Sequence, residues 1–283
     1  MNVRRIDCSE VHAAVSAELI RINREIGPDV LAALEAGLAA EESPTGRSIL
    51  GQLIENDRLA AREGLAICQD TGMVIAFVRL GQEVHVSGGS FREAVDGAVR
   101  EAYRKASLRN SVVRDPLFDR VNTGDNSPAV IHLDLVPGDT LSIDLMVKGF
   151  GSENMSALAM LSPADGEEGV RRFVLETVRR AGPNPCPPVI VGVGLGGTFE
   201  QAALLSKRAL LRHLGEPSPD PRYTGFENSI LEDINRLGIG PAGLGGRITC
   251  LAVHIETYPT HIASIPAAVN ISCHASRHGR VDL

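Results

Sequence analysis

The 283-residue sequence contains no tryptophan and no long run of basic residues. Its formal net charge is −7, with 28 lysines and arginines against 35 aspartates and glutamates. A nucleic-acid-binding protein needs a concentrated basic face, so the sequence predicts no nucleic-acid partner. If the ligand is an anion, the positive charge that binds it must be gathered in a local pocket.

Long apolar segments are also lacking. No stretch approaches the roughly 18 apolar residues of a membrane span, and the first residues (MNVRRIDCSEVHAAV) lack the apolar core of a signal peptide. The sequence therefore predicts a cytoplasmic protein with no membrane partner. Hydrophobic residues at 43% and charged residues at 22% are ordinary for a globular chain with a substantial core.

Closely paired cysteines are missing as well. The five cysteines are an odd number, and no CxxC pair occurs among them. This excludes zinc-ribbon and ferredoxin-type spacings, and a cytoplasmic compartment keeps thiols reduced. Judged by number alone, these cysteines are more often buried hydrophobe-like residues than ligands. They stand at Cys8, Cys68, Cys186, Cys250 and Cys273.

The hydrophobic pattern predicts a mixed α/β fold. Up to about residue 65, apolar residues recur at helical spacing, and Ser43-Pro44 supplies an N-cap followed by a proline at the first helical position. From residue 66 onward, short apolar runs alternate with amphipathic stretches, as strands do with helices. We expect one domain, 1–283, in which a helical N-terminal part (about 1–65) precedes an α/β body with mixed sheets (66–283).

One turn signal predicts a β-hairpin. Ala129–Val136 and Thr140–Val147 each alternate well enough to be strands, and Pro137-Gly138-Asp139 lies between them. Two such runs joined by a short proline- and glycine-containing turn are typical of paired neighbouring strands.

Eight of the 29 glycines are clustered at 192–197 and 240–246. The first cluster lies between a predicted strand, Val189–Val193, and a predicted helix, Thr198–His213, where a dinucleotide loop would lie. However, no acidic residue ends a clear second strand about 20 residues later, and a Walker lysine is missing. Nucleotide binding is therefore the weaker interpretation. A glycine loop before a helix is still a candidate anion site.

Six polar motifs follow one another along most of the chain. They are CQDTG at 68–72, NTGDN at 122–126, KGFGSEN at 148–154, CPPVIVGVGLGGT at 186–198, GIGPAGLGGRIT at 238–249 and HIASIPAAVNISCHASR at 261–277. In this order they resemble the class I, iron–sulfur-dependent fumarate hydratase family, which includes the alpha subunits of L-tartrate dehydratase. Phe150 departs from the pattern, since relatives often have glycine there.

The resemblance implies that Cys68, Cys186 and Cys273 bind a [4Fe–4S] cluster. Three thiolates leave one iron without a protein ligand, and that iron would act as a Lewis acid on the substrate hydroxyl and a carboxylate. Cys8 and Cys250 match no ligand position and are expected to be structural.

The resemblance also implies two groups beside the substrate. Gln69 and Asp70 correspond to substrate-site residues, and Asp70 with His261 corresponds to the catalytic acid/base pair. The alternatives from the residues themselves are an aspartate that caps a turn and a histidine exposed on the surface.

Further implied positions surround this pair. Arg109 corresponds to an arginine that binds a substrate carboxylate, although Arg114 and Arg120 are close enough in sequence to be confused with it. Gly151 is expected to present its backbone N–H to the substrate. Polar residues at 122–126, 148 and 153–154 either line the site or brace it through turns.

The expected protein is therefore the alpha subunit of a reversible hydro-lyase for a small hydroxy-dicarboxylate. Malate/fumarate is the first expectation and L(+)-tartrate the second. Because the sequence ends soon after CHASR, before the family's second catalytic region, a beta subunit is expected to complete the enzyme as an α2β2 assembly. The rivals from other classes are an electron-transfer iron–sulfur protein and a nucleotide-binding regulatory module.

Overall fold

The computed structural model describes residues 3–283 and confirms a mixed α/β fold. The helices are α1 Cys8–Arg24, α2 Pro28–Ala40, α3 Pro44–Glu63, α4 Phe91–Lys105, α5 Phe150–Glu153, α6 Gly166–Ala181, α7 Phe199–Ala209 and α8 Pro221–Asn235. The strands are β1 Arg4–Asp7, β2 Met73–Gly81, β3 Val84–Ser87, β4 Val130–Val136, β5 Leu141–Lys148, β6 Ala157–Leu161, β7 Val189–Gly197, β8 Cys250–Thr260, β9 Ile265–Ser272 and β10 Arg277–Asp282. Within residues 3–283, none of the helices combines the length and hydropathy that crossing a bilayer requires.

Side-chain caps fix where several helices begin. Asp7 accepts the amide of Ser9 at 2.9 Å, and Glu10 reaches back to the amide of Asp7 at 3.1 Å, which forms a capping box at the start of α1. Asp220 caps α8 by accepting the amide of Arg222, and Pro221 occupies the first helical position. The strand β1 before α1 has no counterpart in the sequence-based prediction.

The chain divides into two compact units, each built from non-contiguous segments. Unit 1 contains the described part of Met1–Gly27 together with Asp57–Gly149 and Arg277–Leu283. Unit 2 contains Pro28–Asn56 and Phe150–Ser276. The helical N-terminal part is therefore shared: α1 lies in unit 1 and α2 in unit 2.

Unit 1 is built on a four-stranded sheet in the order β10-β5-β2-β4. β5 runs antiparallel to β10 and β2, whereas β2 and β4 are parallel. Helices α1 and α4 pack against each other, and their apolar residues share a core with β2 and β5. The short strands β1 and β3 pair in parallel as a separate two-stranded sheet.

The predicted hairpin is wrong, because β2 lies between β4 and β5. The connection after β4 crosses the end of β2 and bonds to the turn that follows β2. The amide of Gly81 donates to Thr140 at 2.8 Å, and that of Glu83 donates to Gly138 at 3.0 Å. Gly81 has no space for a side chain, since a Cβ there would overlap with the Gly138 carbonyl. The glycine-containing turn thus joins two strands across a third, which local sequence does not reveal.

Unit 2 is built on a second four-stranded sheet, in the order β6-β9-β7-β8. β7 is parallel to β8 and antiparallel to β9, and β9 is antiparallel to β6. Valines of α6 and isoleucines of α8 share a core with β7, β8 and β9. Helix α7 packs on β7 as well.

The glycines at 192–197 belong to strand β7 and not to a loop that precedes a helix. A Cβ at Gly192 would overlap with the carbonyl of Ser206, and one at Gly194 with the carbonyl of Ala202. Both carbonyls belong to α7, so these glycines permit the helix backbone to approach the strand closely. The pattern is explained by packing, and it gives the nucleotide interpretation no support.

A buried carboxylate anchors the second glycine cluster. Glu41, between α2 and α3, accepts the amides of Glu42 and Ser43 at 2.9 Å, of Arg247 at 2.9 Å and of Ile248 at 2.8 Å. Burial alone would raise the pKa of Glu41, but these backbone donors outweigh it and the pKa is lowered. Glu41 therefore fixes the end of the 240–246 loop as an ionised side chain.

The close approach of α7 to β7 predicts opposite effects of an alanine substitution at two glycines. Gly194→Ala forces a methyl group into the backbone of α7 and should destabilise the protein by about 1–3 kcal/mol, as overpacking does. Gly225→Ala, on the exposed side of α8 with open space around it, should instead stabilise by about 0.5–1 kcal/mol. Urea unfolding of both variants measures this, and equal stabilities would contradict the close approach of α7.

The backbone bonds to the Glu41 carboxylate predict a pH-dependent effect of its substitution. Glu41→Gln removes a charged acceptor of buried amides and should cost about 1–3 kcal/mol near pH 7. Because the folded pKa is lowered, the stabilisation is fully present above the ordinary value of 4.5 and is lost as the pH falls through the folded pKa. The stability gap to the wild type in urea unfolding should therefore shrink in acid.

Glu42→Gln is the matched control. The Glu42 side chain is 79% exposed and pairs with Arg247 at 3.0 Å, so its loss should change stability by less than about 1 kcal/mol. A Glu41→Gln gap that stays constant or widens toward low pH would show that the ionised carboxylate is not the source.

Candidate active site

Two of the predicted cluster cysteines, Cys186 and Cys273, lie at the same end of the unit 2 sheet. Ile190 pairs with Ser272, which sets the start of β7 beside the end of β9. Cys186 lies three residues before β7, and Cys273 directly follows β9. We call this the cysteine end of the sheet. The starts of β6 and β8 lie at the same end, since Ala157 pairs with Val269 and Cys250 with Val189.

The segment that carries Cys186 is held by the 240–246 loop. Cys186 has a φ of 54°, and its amide donates to Pro183 at 3.1 Å. The amide of Ala242 donates to the Pro187 carbonyl at 2.8 Å. A side chain at Gly243 would overlap with Pro183, so the two segments are in close contact. The resulting turn leaves Cys186 exposed to solvent.

The segment after β5 also reaches the cysteine end. Gly151 is exposed, and a Cβ there would lie 3.5 Å from the Asn184 carbonyl, which places it beside the Cys186 segment. Glu153 accepts from Lys207 at 2.5 Å and from Asn270 at 3.1 Å. Glu153 thus braces α5 against α7 and β9, as the bracing alternative predicted.

The segments of unit 1 that contain predicted site residues lie at the end of its sheet where β2 starts. Met73 pairs with Lys148, Val147 with Arg277, and Ile75 with Val130. The start of β2, the end of β5, the start of β10 and the start of β4 are therefore at one end of the sheet. This end collects the CQDTG segment, the KG dipeptide, Arg277 and the chain that follows NTGDN.

Cys68 and Asp70 form a compact turn at this end. The amide of Asp70 donates to Cys68 Sγ at 3.4 Å, and Asp70 Oδ1 accepts the amide of Gly72 at 3.0 Å. The turn-capping role is thus present. Asp70 Oδ2 lies 3.0 Å and Arg277 Nη2 3.5 Å from the place of a Cβ on Gly149, so the carboxylate and guanidinium flank one glycine. That arrangement places an anionic and a cationic group beside backbone with no side chain.

Buried donors hold the 71–72 peptides. The Tyr103 hydroxyl donates to the carbonyls of Thr71 and, at 3.3 Å, Gly72, and Asn126 Nδ2 donates to Gly72 at 3.0 Å. Burial raises the pKa of Tyr103, which keeps it a neutral donor. Asn126 also accepts the Ser111 amide at 2.6 Å. NTGDN therefore braces the site through its last residue.

The structure separates the three candidate arginines. Thr71 Oγ1 donates to the Arg109 carbonyl at 2.6 Å, which holds the Arg109 backbone beside CQDTG while its side chain is exposed. Arg120 Nη1 donates instead to Pro116 of its own loop at 2.6 Å. The backbone of Arg114 pairs with Val121 in that same loop. Arg109 is thus the arginine held directly to the Cys68 segment.

His261 is not at the cysteine end. Thr260, the last residue of β8, pairs with Gly197, the last residue of β7. His261 therefore lies at the opposite end of the unit 2 sheet, which we call the distal end, in the exposed turn between β8 and β9. Gln69 is exposed in the Cys68 segment of unit 1.

The surroundings of the five thiols differ in the way that metal ligation requires. Cys8 and Cys250 are buried, and burial raises the pKa of Cys8 and raises that of Cys250 to about 12. A ligand must be a thiolate, so these two are unsuited. Cys68, Cys186 and Cys273 are half-buried or exposed, and Cys68 Sγ accepts the amide of Asp70. The donor set therefore fits an iron–sulfur cluster.

Sequence reasoning missed three residues that support the site. Tyr103 reads as an ordinary apolar position of α4, and Glu41 as one acid of a polar turn. Arg277 ends the CHASR motif but was given no role, although it is buried and donates to Asn23 at 3.3 Å. A charged residue directly after a cysteine motif was a usable signal for Arg277. The others gave none.

Comparison with known proteins agrees with the motifs. Residues 12–282 match the family described as Fumarate hydratase (Fumerase). A protein of Methanocaldococcus jannaschii, provisionally named L(+)-tartrate dehydratase subunit alpha, is 42% identical over 253 residues, which are 88% of this chain and 89% of the relative. The L(+)-tartrate dehydratase subunit alpha of Escherichia coli strain UTI89 is 37% identical over 91% of this chain and 86% of its own length.

The corresponding E. coli K12 subunit is 36% identical over the same shares of the two chains. The family match extends over nearly the whole sequence and includes every predicted site position. The chain therefore belongs to the fumarate hydratase (Fumerase) family of hydro-lyases.

Proposed function

We propose that this chain is the cluster-binding alpha subunit of a [4Fe–4S] hydro-lyase that reversibly dehydrates a small hydroxy-dicarboxylate. The observation that carries the proposal is the placement of Cys186 and Cys273 at one end of a sheet, with the Gly151 segment beside them. Buried Cys8 and Cys250 lack these surroundings. Cys68, next to Asp70, supplies the third thiolate.

The cluster, when bound to Cys68, Cys186 and Cys273, supplies a Lewis acid that assists the departure of the substrate hydroxyl. The chain's own groups bind and orient the substrate. Arg109 offers a planar pair of donors to one carboxylate, and the Gly151 amide offers another donor. Gln69 supplies a side-chain amide as a further donor.

Proton transfer in the proposal belongs to Asp70 and His261. Asp70 Oδ1 is engaged by the Gly72 amide, which fixes the carboxylate and leaves Oδ2 as the oxygen toward Gly149. The imidazole of His261 has a ring nitrogen that can accept a proton, so it is suited to removing the proton from the substrate carbon.

The relatives' names decide the order in which substrates are tested. Three named relatives are tartrate dehydratase alpha subunits, so L(+)-tartrate becomes the first substrate. The family description keeps (S)-malate beside it. We expect a beta subunit to complete the enzyme as an α2β2 assembly, with residues 1–283 acting as one functional subunit. A cytoplasmic location, where thiols stay reduced, suits the three ligands.

Cluster assembly is predicted to depend on three of the five cysteines. After anaerobic reconstitution, Cys68→Ser, Cys186→Ser and Cys273→Ser should each lose most bound iron and acid-labile sulfide and all dehydratase activity with the beta subunit. The matched controls Cys8→Ala and Cys250→Ala should keep both, because these thiols are buried structural groups. Iron and sulfide analysis with electron paramagnetic resonance measures the cluster directly.

Two results would overturn the proposal. One is a full cluster and normal turnover in all three serine variants. The other is a stable, reversible cluster redox couple without any hydration or dehydration of tartrate or malate in the presence of the beta subunit, which would indicate electron transfer.

Arg109 is predicted to bind a substrate carboxylate. Arg109→Lys keeps the charge but loses the planar pair of donors, so kcat/KM should fall about 10- to 100-fold. Arg120→Lys is the matched control and should change kcat/KM less than about twofold, since the Arg120 guanidinium bonds to its own loop. Steady-state assays with cluster content measured in parallel separate binding from cluster loss. An unchanged kcat/KM for Arg109→Lys would remove Arg109 from the site.

A further inference from the structure

We propose that Arg277 is a positioning residue of the reaction, which holds the Asp70 carboxylate in the orientation that proton transfer needs. This rests on the proposed function, because it takes Asp70 as an acid/base group beside a cluster-binding cysteine. Arg277 is only 3% exposed, so it acts through Asp70 and not by touching the substrate.

The Arg277 side chain is anchored to helix α1. Arg277 is the first residue of β10 and pairs with Val147 on β5. Its Nη1 donates to Asn23 Oδ1 at 3.3 Å. Asn23 is fully buried, and its Nδ2 donates to the Leu19 carbonyl at 2.8 Å. The amide of Asn23 is therefore fixed with its oxygen toward the guanidinium.

Asn23 also holds the segment that leads to Asp70. The amide of Ile67 donates to the Asn23 carbonyl at 2.9 Å, one residue before Cys68. The same buried residue thus fixes Arg277 through its side chain and the start of the CQDTG turn through its backbone. This shared anchor limits how far the guanidinium and the carboxylate can move relative to each other.

The anchor leaves the charge of Arg277 without compensation. A guanidinium is always charged, and a buried charge is stable only when it is paired and hydrogen-bonded. Asn23 is a neutral acceptor, and Arg277 Nε is buried without a hydrogen-bond partner among residues 3–283. The guanidinium therefore requires an anion beside it.

The carboxylate of Asp70 is an anion at this place. Asp70 Oδ2 lies 3.0 Å and Arg277 Nη2 3.5 Å from one point, the place of a Cβ on Gly149. Both charges also act on the Tyr103 hydroxyl: burial raises its pKa, Arg277 lowers it and Asp70 raises it further. Opposite charges attract strongly where water is largely excluded. Arg277 thus draws Asp70 Oδ2 toward Gly149.

The two oxygens of Asp70 are held by different groups. The Gly72 amide donates to Oδ1 at 3.0 Å, and the charge of Arg277 attracts Oδ2. A side chain at position 149 would push the carboxylate away, so the glycine is part of the arrangement. A carboxylate constrained at both oxygens keeps one orientation, and misplacing a catalytic group by about 1 Å can cost about 10²-fold in rate.

Removal of the guanidinium tests the proposal. Arg277→Met should lower kcat about 10- to 100-fold and change KM less than about twofold, because positioning affects the reaction step and not substrate binding. Arg277→Lys keeps a positive charge and should recover kcat to within about fivefold of the wild type. The reconstituted enzyme with its beta subunit is assayed with L(+)-tartrate and (S)-malate, and iron, sulfide and the electron paramagnetic resonance spectrum should stay unchanged.

Arg280→Met is the matched control for the loss of an arginine. Arg280 lies on the same strand, is exposed, and donates to Asp282 at 2.8 Å. Its substitution should change kcat less than about twofold.

A second variant moves the carboxylate while the charge of Arg277 stays. Gly149→Ala places a methyl group 3.0 Å from Asp70 Oδ2, so the carboxylate must shift by a few tenths of an ångström. The φ of Gly149 is not positive, so the backbone accepts alanine. We expect kcat to fall about 3- to 10-fold with an unchanged midpoint of urea unfolding. Gly51→Ala, with open space around it, is the matched control and should keep full activity.

A double variant decides whether Arg277 acts through Asp70. In an Asp70→Asn background, Arg277→Met should lower kcat less than about twofold, because the carboxylate that it positions is gone. A further loss as large as in the wild-type background would overturn the proposal, and so would a raised KM or a lost cluster in Arg277→Met. If Arg277→Met does not fold, wild-type kcat in Gly149→Ala overturns it instead.

Failure of the proposed function can be told apart from failure of this role. Wild-type turnover in Asp70→Asn would remove Asp70 from the reaction and Arg277 with it. Wild-type turnover in Arg277→Met, beside an impaired Asp70→Asn, would overturn the role of Arg277 alone.

Discussion

The antiparallel pairing of Ile190 with Ser272 fixes where Cys186 and Cys273 leave the unit 2 sheet. Side chains alternate along a strand, so a slip of one residue would exchange the two faces of β7. Val191 and Val193 face the core formed with α6 and α8, whereas Gly192 and Gly194 face the backbone of α7. The valines would overlap with α7 if they faced it, and the glycines would leave the core unfilled. The same alternation that packs the core thus determines the position of the two thiols.

Unit 1 uses strand ends in a similar way, but there buried polar groups set the geometry. The peptides after Asp70 accept from Tyr103 and Asn126, and Gly72 allows the Lys148 carbonyl to approach. A Cβ on Gly72 would lie 2.6 Å from that oxygen. Buried polar groups are stable only when they are hydrogen-bonded, so these bonds restrict the turn to one conformation. Asp70 is held rigidly because the carbonyls of the peptides that follow it are hydrogen-bonded to Tyr103 and Asn126.

The sequence predicted most secondary-structure elements, because apolar periodicity and caps such as Ser43-Pro44 are local signals. It failed where strand order mattered: the Pro137-Gly138-Asp139 turn joins strands that β2 separates, and pairing across a third strand leaves no local trace. The glycines of β7 resembled a phosphate loop because both uses require the absence of a side chain. The three cysteines proposed as ligands are far apart in the chain, so only whole-family motifs distinguished them from buried Cys8 and Cys250.

His261 shows why motif order and spatial order differ. It stands twelve residues before Cys273 in one motif, HIASIPAAVNISC, and this motif is largely strand β9. A strand is an extended segment, so its two ends are separated by its full length. Residues that lie beyond the two ends of β9 are therefore close in sequence but far apart in space. Cys273 and His261 therefore lie beyond opposite ends of β9, although one sequence motif contains both.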